Sequence, residues 1–275
     1  SLDMRFDDTK AYFMPVGCGP VRPQLDPKTG IPARVGIFGD VWTLSTSYRS
    51  TKDVIAARLP PGFEPDDQPI VNVFYVQCRQ VNFLAGGGYN LIGLNLAASF
   101  RGKEDFEKGN YSLVLWENHC YPIIRGRELL GAPKLFADII DAEFDRGSWH
   151  VEATDNRNML IAMTINQGQK IGDAELSAME ERDNRTSWLG WRYIPNINGI
   201  GAALSEPTLI GKEDLYKEGW IGDGTVTYGD VTWEASPMSG DIVQDIKGLT
   251  VEEYIGSTVT HGSSKVSREL HRVLR

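Results

Sequence analysis

One lysine in this sequence has neighbours that would leave its ammonium group poorly solvated. Lys134 lies in the stretch GRELLGAPKLFADI, residues 126–139, directly after Pro133 and ahead of an apolar run. A free lysine has a pKa of about 10.4, so about one molecule in a few thousand offers a neutral amine at neutral pH. A nucleophilic lysine must be neutral, and full burial favours that form by about 4 to 7 kcal/mol. The position therefore predicts an amine that could attack a carbonyl carbon.

The residues around Lys134 favour an amine that faces inward. Pro133 restricts the backbone just before the lysine, and Gly131 permits a close approach of another chain segment. The apolar walls would come from Leu129, Leu130, Leu135 and Phe136. The alternative is that Lys134 begins a strand with its stem on the core and its ammonium group in water.

The composition excludes several classes of partner. The 275 residues include 37 acidic and 28 basic ones, and no cluster of lysine and arginine could follow a nucleic-acid backbone. No apolar run approaches the roughly 20 residues that cross a bilayer, so no membrane is expected as a partner. The acidic start differs from a secretory signal, which begins with basic and then apolar residues. We expect a cytoplasmic protein.

Neither a metal nor a cofactor site is predicted. The four histidines form no HxH or HExxH pair, and three widely spaced cysteines fit ordinary thiols better than disulfides. The glycines at 86–88 lack the strand-to-helix context of a phosphate-binding loop.

Most of the chain has the pattern of β-strands joined by turns. Runs rich in β-branched and aromatic residues begin at 40, 69 and 188, and extended runs at 135–145, 148–154 and 159–166 predict an antiparallel meander. The fold class is therefore mainly β or α+β, in a single domain over residues 1–275.

A few helices are expected beside the strands. Ser50 or Thr51 can cap a short helix that ends before Pro60, and the charged region 173–187 is either a surface helix or an irregular excursion. Thr250 with Glu253 forms a capping-box pattern. The C-terminal stretch predicts a last helix, with one apolar stripe of Val266, Leu270, Val273 and Leu274.

The motif GRELLGAPKL resembles the segment that carries the Schiff-base lysine in acetoacetate decarboxylase and its relatives. The stretches at 47–65, 191–201 and 218–229 resemble further blocks of that family in the same order. The resemblance spans roughly residues 40–260, which leaves residues 1–39 as an N-terminal extension. It implies a closed antiparallel β-barrel with a few flanking helices, and a homo-oligomer.

The resemblance assigns the imine-forming role to Lys134 and also shows departures from the family. The family's second lysine follows directly, where this chain has Leu135, so burial remains as the cause of a neutral amine, with help from Arg125 or Arg127 if either folds nearby. The family's arginine and two glutamates fall near Val41, Phe74 and Leu91, and none of these positions is charged.

Other residues could complete the site. Glu117 is the candidate to replace the missing acid as a second catalytic group, with Trp116 as an apolar wall. His119, Tyr89 and Leu135 are the remaining substrate-binding candidates. The alternative is that Glu117 and His119 form a solvated strand end, because alternation sends only one of two neighbouring faces inward.

Three functions remain open from the sequence. A lysine imine is a strong electron sink, so the first is decarboxylation of a β-keto acid other than acetoacetate. The second is an aldolase-dehydratase reaction that joins pyruvate to an aldehyde. The third is a hydrophobic small-molecule binder or cyclase that has lost imine chemistry. A purely structural subunit without any of these functions is a further alternative. The missing charges at three family positions favour a bulky keto acid as the small-molecule partner.

Overall fold

The computed structural model describes residues 6–275, so the first five residues of the predicted N-terminal extension lie outside the described residues. Within that range fifteen strands share one hydrogen-bonded sheet. The strands are β1 (Val35–Arg49), β2 (Phe63–Pro65), β3 (Ile70–Val81), β4 (Tyr89–Arg101), β5 (Phe106–Glu117), β6 (Lys134–Phe136), β7 (Asp138–Ile139), β8 (Glu143–Asp145), β9 (Ser148–Asp155), β10 (Asn158–Lys170), β11 (Ser187–Pro195), β12 (Ala202–Ile210), β13 (Lys212–Tyr228), β14 (Glu253–Ser267) and β15 (Arg272–Val273).

The helices of the described range are short and lie beside the sheet. They are α1 (Lys52–Ala56), α2 (Cys120–Arg125), α3 (Asp173–Arg185) and α4 (Gly240–Ile246). The prediction of a mainly β fold with a few flanking helices is confirmed. No helix within residues 6–275 is long and apolar enough to cross a membrane.

The sheet is not the closed barrel that the resemblance implied. Its strand order is β15-β12-β11-β5-β4-β3-β1-β14-β13-β10-β9-β7, an open path. The reason lies in the segment 134–139, where β6 pairs with β5 and the following β7 pairs with β9. Because the chain changes partner at Ala137, neither short strand is paired on both sides. The segment that carries Lys134 therefore spans the gap between β5 and β9.

Side-chain alternation gives the sheet two different faces. On β3, Val71 and Val73 are fully buried in the main core, whereas Phe74 and Cys78 line a cavity on the other face. Successive residues of a strand point to opposite faces, so one strand supplies both surfaces. The cavity wall is thus supported from behind by the main core.

The predicted helix after Thr51 is present, and the structure decides between the two alternatives left open for residues 173–187. The Thr51 hydroxyl accepts a hydrogen bond from the backbone of Val54 and caps α1. The charged region 173–187 forms α3, of which Leu176 and Met179 are buried.

The helices predicted after residue 249 are wrong. Glu253 begins β14 and does not belong to a helical first turn, and the predicted C-terminal helix is replaced by the end of β14, a 3-10 turn and β15. Val266 pairs with Gly36 on one side and Lys212 on the other. Two ladders of backbone hydrogen bonds outweigh a local helical pattern, which is a weak preference.

Candidate active site

Lys134 stands at the start of β6 with its side chain in the cavity wall. Its backbone lies beside Leu115 of β5, whose N–H donates to the carbonyl oxygen of Pro133 at 3.0 Å. The side chain is 9% exposed, and Nζ donates to the carbonyl oxygen of Pro122 at 3.2 Å. The amine therefore lies in a protein wall, and the alternative of an ammonium group in bulk water does not hold.

Glu117 is the ionisable partner of Lys134. The Glu117 side chain is 0% exposed, and its Oε1 lies 2.9 Å from Lys134 Nζ. Burial raises the pKa of Glu117, and the attraction of the nearby ammonium group only partly opposes this. Its Oε2 has no hydrogen-bond partner among the described residues, and its Oε1 meets Lys134 Nζ as a close ionic contact without hydrogen-bond geometry. The two side chains can therefore exchange one proton inside the cavity.

A glycine makes room for the lysine side chain. Gly126 follows α2 and opens a π-helical turn that ends at Gly131, with φ of 70°. A Cβ atom on Gly126 would lie 2.5 Å from Cδ and 2.6 Å from Cε of Lys134. In addition, the Arg127 guanidinium donates to the Lys134 carbonyl oxygen at 3.0 Å. The motif around the lysine thus shapes both its space and its backbone.

The cavity has a volume of about 930 Å³ and an apolar wall near the lysine. The three positions where the family carries charge, Val41, Phe74 and Leu91, all line it. Cys78 and Tyr89 line it as well; burial raises the pKa of Cys78 to about 12 and that of Tyr89 well above its usual value. Both groups therefore stay protonated and neutral at physiological pH.

Three of the predicted substrate-binding residues lie outside the cavity lining. Trp116 is fully buried on the core face of β5, where its indole N–H donates to Ser239 Oγ at 2.9 Å. Leu135 packs against the main core. His119 caps α2, its Nδ1 accepting from the backbone N–H of Tyr121 at 3.2 Å. Strand alternation explains the first two, because each stands next to a residue that faces the cavity.

The structure thus brings Lys134, Glu117 and Tyr89 to one cavity and separates them from the other candidates. A second lysine, which the sequence analysis did not single out, also lines the cavity. Lys212 pairs with Asp214 at 2.9 Å. Burial disfavours its charge, but the carboxylate of Asp214 outweighs burial and raises the pKa of Lys212. The sequence signal for this pair was a lysine and an aspartate two residues apart in one strand, a spacing that places both side chains on the same face.

The described residues contain no group of three or more His, Cys, Asp or Glu side chains arranged to hold a metal ion. The chemistry available from the cavity is that of an amine, a carboxyl group and an apolar wall. A neutral lysine amine forms imines with ketones, and a buried carboxyl group supplies and removes the protons that this requires.

Comparison with known proteins shows the family to which the chain belongs. Residues 18–270 match the family model of acetoacetate decarboxylase. The match begins inside residues 1–39, the segment that was predicted to lie outside the resemblance. The chain is 26% identical to an acetoacetate decarboxylase of Ralstonia nicotianae over 189 residues, 66% of this chain and 69% of that protein.

Solved structures share the fold. The acetoacetate decarboxylase of Legionella pneumophila superimposes with a TM-score of 0.73 at 16% identity, covering 94% of this chain and 91% of that one. The enduracididine biosynthesis enzyme MppR, in complex with pyruvate, gives 0.69 at 15% identity, covering 94% and 98%. At these identities the likeness concerns the fold. By the match over nearly its whole length, the chain belongs to the acetoacetate decarboxylase family.

Proposed function

We propose that this chain is a Schiff-base-forming carbon–carbon lyase that decarboxylates a β-keto acid other than acetoacetate. The observation that carries the proposal is the buried contact of 2.9 Å between Lys134 Nζ and Glu117 Oε1. Membership of a decarboxylase family supports the reaction class. In this proposal Lys134 is the nucleophile, Glu117 moves the protons, and no cofactor takes part.

Imine formation begins with one proton transfer. The Lys134 ammonium group gives its proton to the Glu117 carboxylate, which burial favours because the raised pKa of Glu117 stabilises its neutral form. The neutral amine then attacks the ketone carbon. A proton of the attacking nitrogen moves to the alkoxide oxygen, which becomes a hydroxyl group. Glu117 then gives its proton to this hydroxyl group, which leaves as water and produces the protonated imine.

Decarboxylation follows from the positive imine nitrogen. The bond between the α-carbon and the carboxylate breaks, its electron pair moves into the imine, and CO2 leaves an enamine. The carboxylate loses its charge in this step, so an apolar wall favours the transition state over the bound ground state. Protonation of the enamine carbon and addition of water then release the ketone product and regenerate the amine.

The size of the cavity supports a substrate larger than acetoacetate. Its volume of about 930 Å³ is near the upper end of the roughly 300 to 1,000 Å³ that binds drug-sized ligands. Apolar residues at Val41, Phe74 and Leu91 would contact a longer carbon chain. Tyr89 contributes a neutral hydroxyl group to the same wall and is the proposed polar contact to substrate.

Borohydride trapping tests the proposal. Incubation with a panel of β-keto acids and borohydride is expected to leave a covalent adduct on the Lys134 peptide, detected by mass spectrometry, together with release of CO2. Lys134→Ala should abolish the adduct, whereas Lys212→Ala, which removes the other cavity lysine, should retain it. Labelling that persists in Lys134→Ala would contradict the proposal.

The same experiment separates the alternatives. An adduct with pyruvate that consumes an added aldehyde without release of CO2 would indicate an aldolase-dehydratase. Binding of apolar compounds without any adduct would indicate a non-covalent binder or cyclase. Assembly as a homo-oligomer and a cytoplasmic location stay predictions from the sequence.

A further inference from the structure

A buried arginine beside the catalytic lysine has only neutral partners among the described residues. Arg125 is 7% exposed and lines the cavity. Its Nη1 donates to the hydroxyl oxygen of Tyr121 at 2.9 Å. The Gln24 amide is satisfied when its side-chain oxygen accepts from Arg125 Nη2 at 2.7 Å and its nitrogen donates to a backbone carbonyl oxygen. The Arg125 Cζ atom lies 5.3 to 5.4 Å from the ring centroids of Phe13, Phe83 and Tyr121. A buried cation that is not neutralised is costly, so this arrangement indicates an anionic ligand.

Two further arginines increase the positive charge at this position. Arg268 lines the same cavity, and its backbone N–H donates to the carbonyl oxygen of Arg34 at 3.2 Å. Burial, followed by the charges of Arg125 and Arg34, lowers the pKa of Arg268. Within residues 6–275 none of the three forms an ion pair with a carboxylate. We call Arg34, Arg125 and Arg268 the arginine cluster.

Two other ionisable residues near the cluster add no uncompensated positive charge. Arg272 also lines the cavity, but it is paired with Asp105 and Glu107. His271 adds no charge at neutral pH, because burial lowers its pKa to about 4. Glu269, next to Arg268, also lines the cavity and forms no ion pair within residues 6–275, so the three positive charges of the arginine cluster exceed the one negative charge beside them.

The cluster and the catalytic lysine can contact the same molecule. Arg125 directly precedes Gly126, whose Cα faces the end of the Lys134 side chain. Arg125, Arg268 and Lys134 line one continuous cavity. A ligand held at Lys134 can therefore extend toward the cluster without leaving the cavity.

We propose that the arginine cluster binds a second anionic group of the substrate, at the end remote from the reacting ketone. This inference rests on the proposed function for the identity of the ligand as a keto acid. The departing carboxylate is a poorer candidate for the cluster, because arginines would stabilise its charge before CO2 forms and would slow the reaction. A remote anion keeps its charge throughout, so the cluster provides binding and selects the substrate. Guanidinium groups suit carboxylate and phosphate equally well, so the shared chemistry is an anionic terminus.

A binding experiment tests the cluster independently of catalysis. Calorimetric titration of the full chain with hexanoate, with hexanedioate and with 4-phosphooxybutanoate compares ligands that share one carboxylate and end in a methyl group, a carboxylate or a phosphate. We expect one of the two ligands with an anionic terminus to bind roughly 10- to 100-fold more tightly than hexanoate, as for charged hydrogen bonds. Arg125→Gln and Arg268→Gln should each remove most of that preference. Arg101→Gln, on the exposed surface and outside the cavity lining, is the matched control.

Equal binding of all three ligands by the unaltered chain would overturn the inference, and so would a preference that survives in both arginine variants. Arg268 is less buried than Arg125, so Arg268→Gln disturbs the fold less and still tests the cluster if Arg125→Gln misfolds. A kinetic arm uses six-carbon 3-oxo acids that end in a methyl group or a carboxylate. There the cluster predicts a roughly 10- to 100-fold lower KM for the second acid with similar kcat. Absence of turnover and of borohydride adducts with both acids would contradict the proposed function, whereas the titration would still decide the anion site.

Discussion

The Lys134 side chain occupies the space that a Cβ atom on Gly126 would require, with Cδ only 2.5 Å from that position. Gly126 has ordinary helical backbone angles, so the absence of a side chain there serves the lysine and not the backbone. This contact joins the helix end to the start of β6. It also means that the position of the amine can be tested without changing the lysine itself.

Gly126→Ala is expected to separate activity from stability. The added methyl group displaces the flexible end of Lys134, and a displacement of about 1 Å can reduce the rate about 100-fold. Alanine favours the helix by about 1 kcal/mol, which offsets the cost of displacing the Lys134 side chain. The melting temperature should therefore change little. The measurements are the rate of borohydride trapping and the melting temperature. Gly172→Ala, where an added Cβ meets no atom within 4 Å, is the control; equal trapping in both variants would contradict the assigned contact.

Glu117→Gln is expected to lower kcat by about 100- to 10,000-fold, the usual contribution of a general acid and base. Glutamine keeps the shape but cannot accept the proton of Lys134. The measurement is kcat for the best keto acid, with Glu213→Gln, an exposed acid of β13, as control. A value within twofold of the unaltered chain would exclude Glu117 as the proton carrier.

Glu117 is also expected to make stability depend on pH. Burial raises its pKa above the ordinary value of 4.5, so the folded chain holds this proton more tightly than the unfolded chain. Its stabilising contribution is therefore complete below about pH 4.5 and is lost as the pH rises through the raised pKa. Glutamine has no such proton, so the free energy of unfolding of Glu117→Gln should gain relative to the unaltered chain as the pH rises above about 4.5. Urea unfolding at several pH values measures this difference, and a constant difference would contradict it.

The three cysteines are expected to differ in reactivity. Cys18 and Cys120 are exposed, whereas burial raises the pKa of Cys78 to about 12 and keeps its thiol protonated. The thiolate is the reactive form, so iodoacetamide at neutral pH should modify the first two and spare Cys78 until the chain unfolds. Peptide mass spectrometry gives the sites. Modification of native Cys78 at the rate of the others would show that its thiol ionises in the cavity.

Ser239→Ala is expected to destabilise the fold and leave trapping at Lys134 unchanged. It removes the buried partner of the Trp116 indole N–H, and an unsatisfied buried donor costs about 1 to 3 kcal/mol. Ser205→Ala breaks the corresponding bond to Trp191 on the surface, where water replaces it, so it should cost less. Chemical denaturation compares the two variants. A loss of trapping in Ser239→Ala without a loss of stability would indicate that Trp116 acts at the cavity.

Local patterns predicted most of the regular structure. The Thr51 cap and the pairing of β9 with β10 depend on interactions between residues that are near each other in the chain, which a sequence displays directly. The C-terminal residues were predicted as a helix because Val266 and Leu270 repeat at helical spacing. Their strand structure depends on β1 and β13, which pair with β14 from far along the chain.

The site was predicted in part for a similar reason. On β5 the sequence offers Trp116 and Glu117 with no sign of which one faces the cavity. That choice depends on the whole sheet, because burying the large indole on the core face turns the carboxyl group toward Lys134.

The sequence by itself determined that Lys134 would follow a proline in apolar surroundings, because these features belong to adjacent residues. Only the tertiary structure decided that Glu117 meets its amine, that Arg125 and Arg268 line the same cavity, and that Arg34 lies close to Arg268. The physical reason is that strand pairing joins distant segments in the arrangement that buries apolar surface over the complete sheet. A short stretch of sequence does not contain that information.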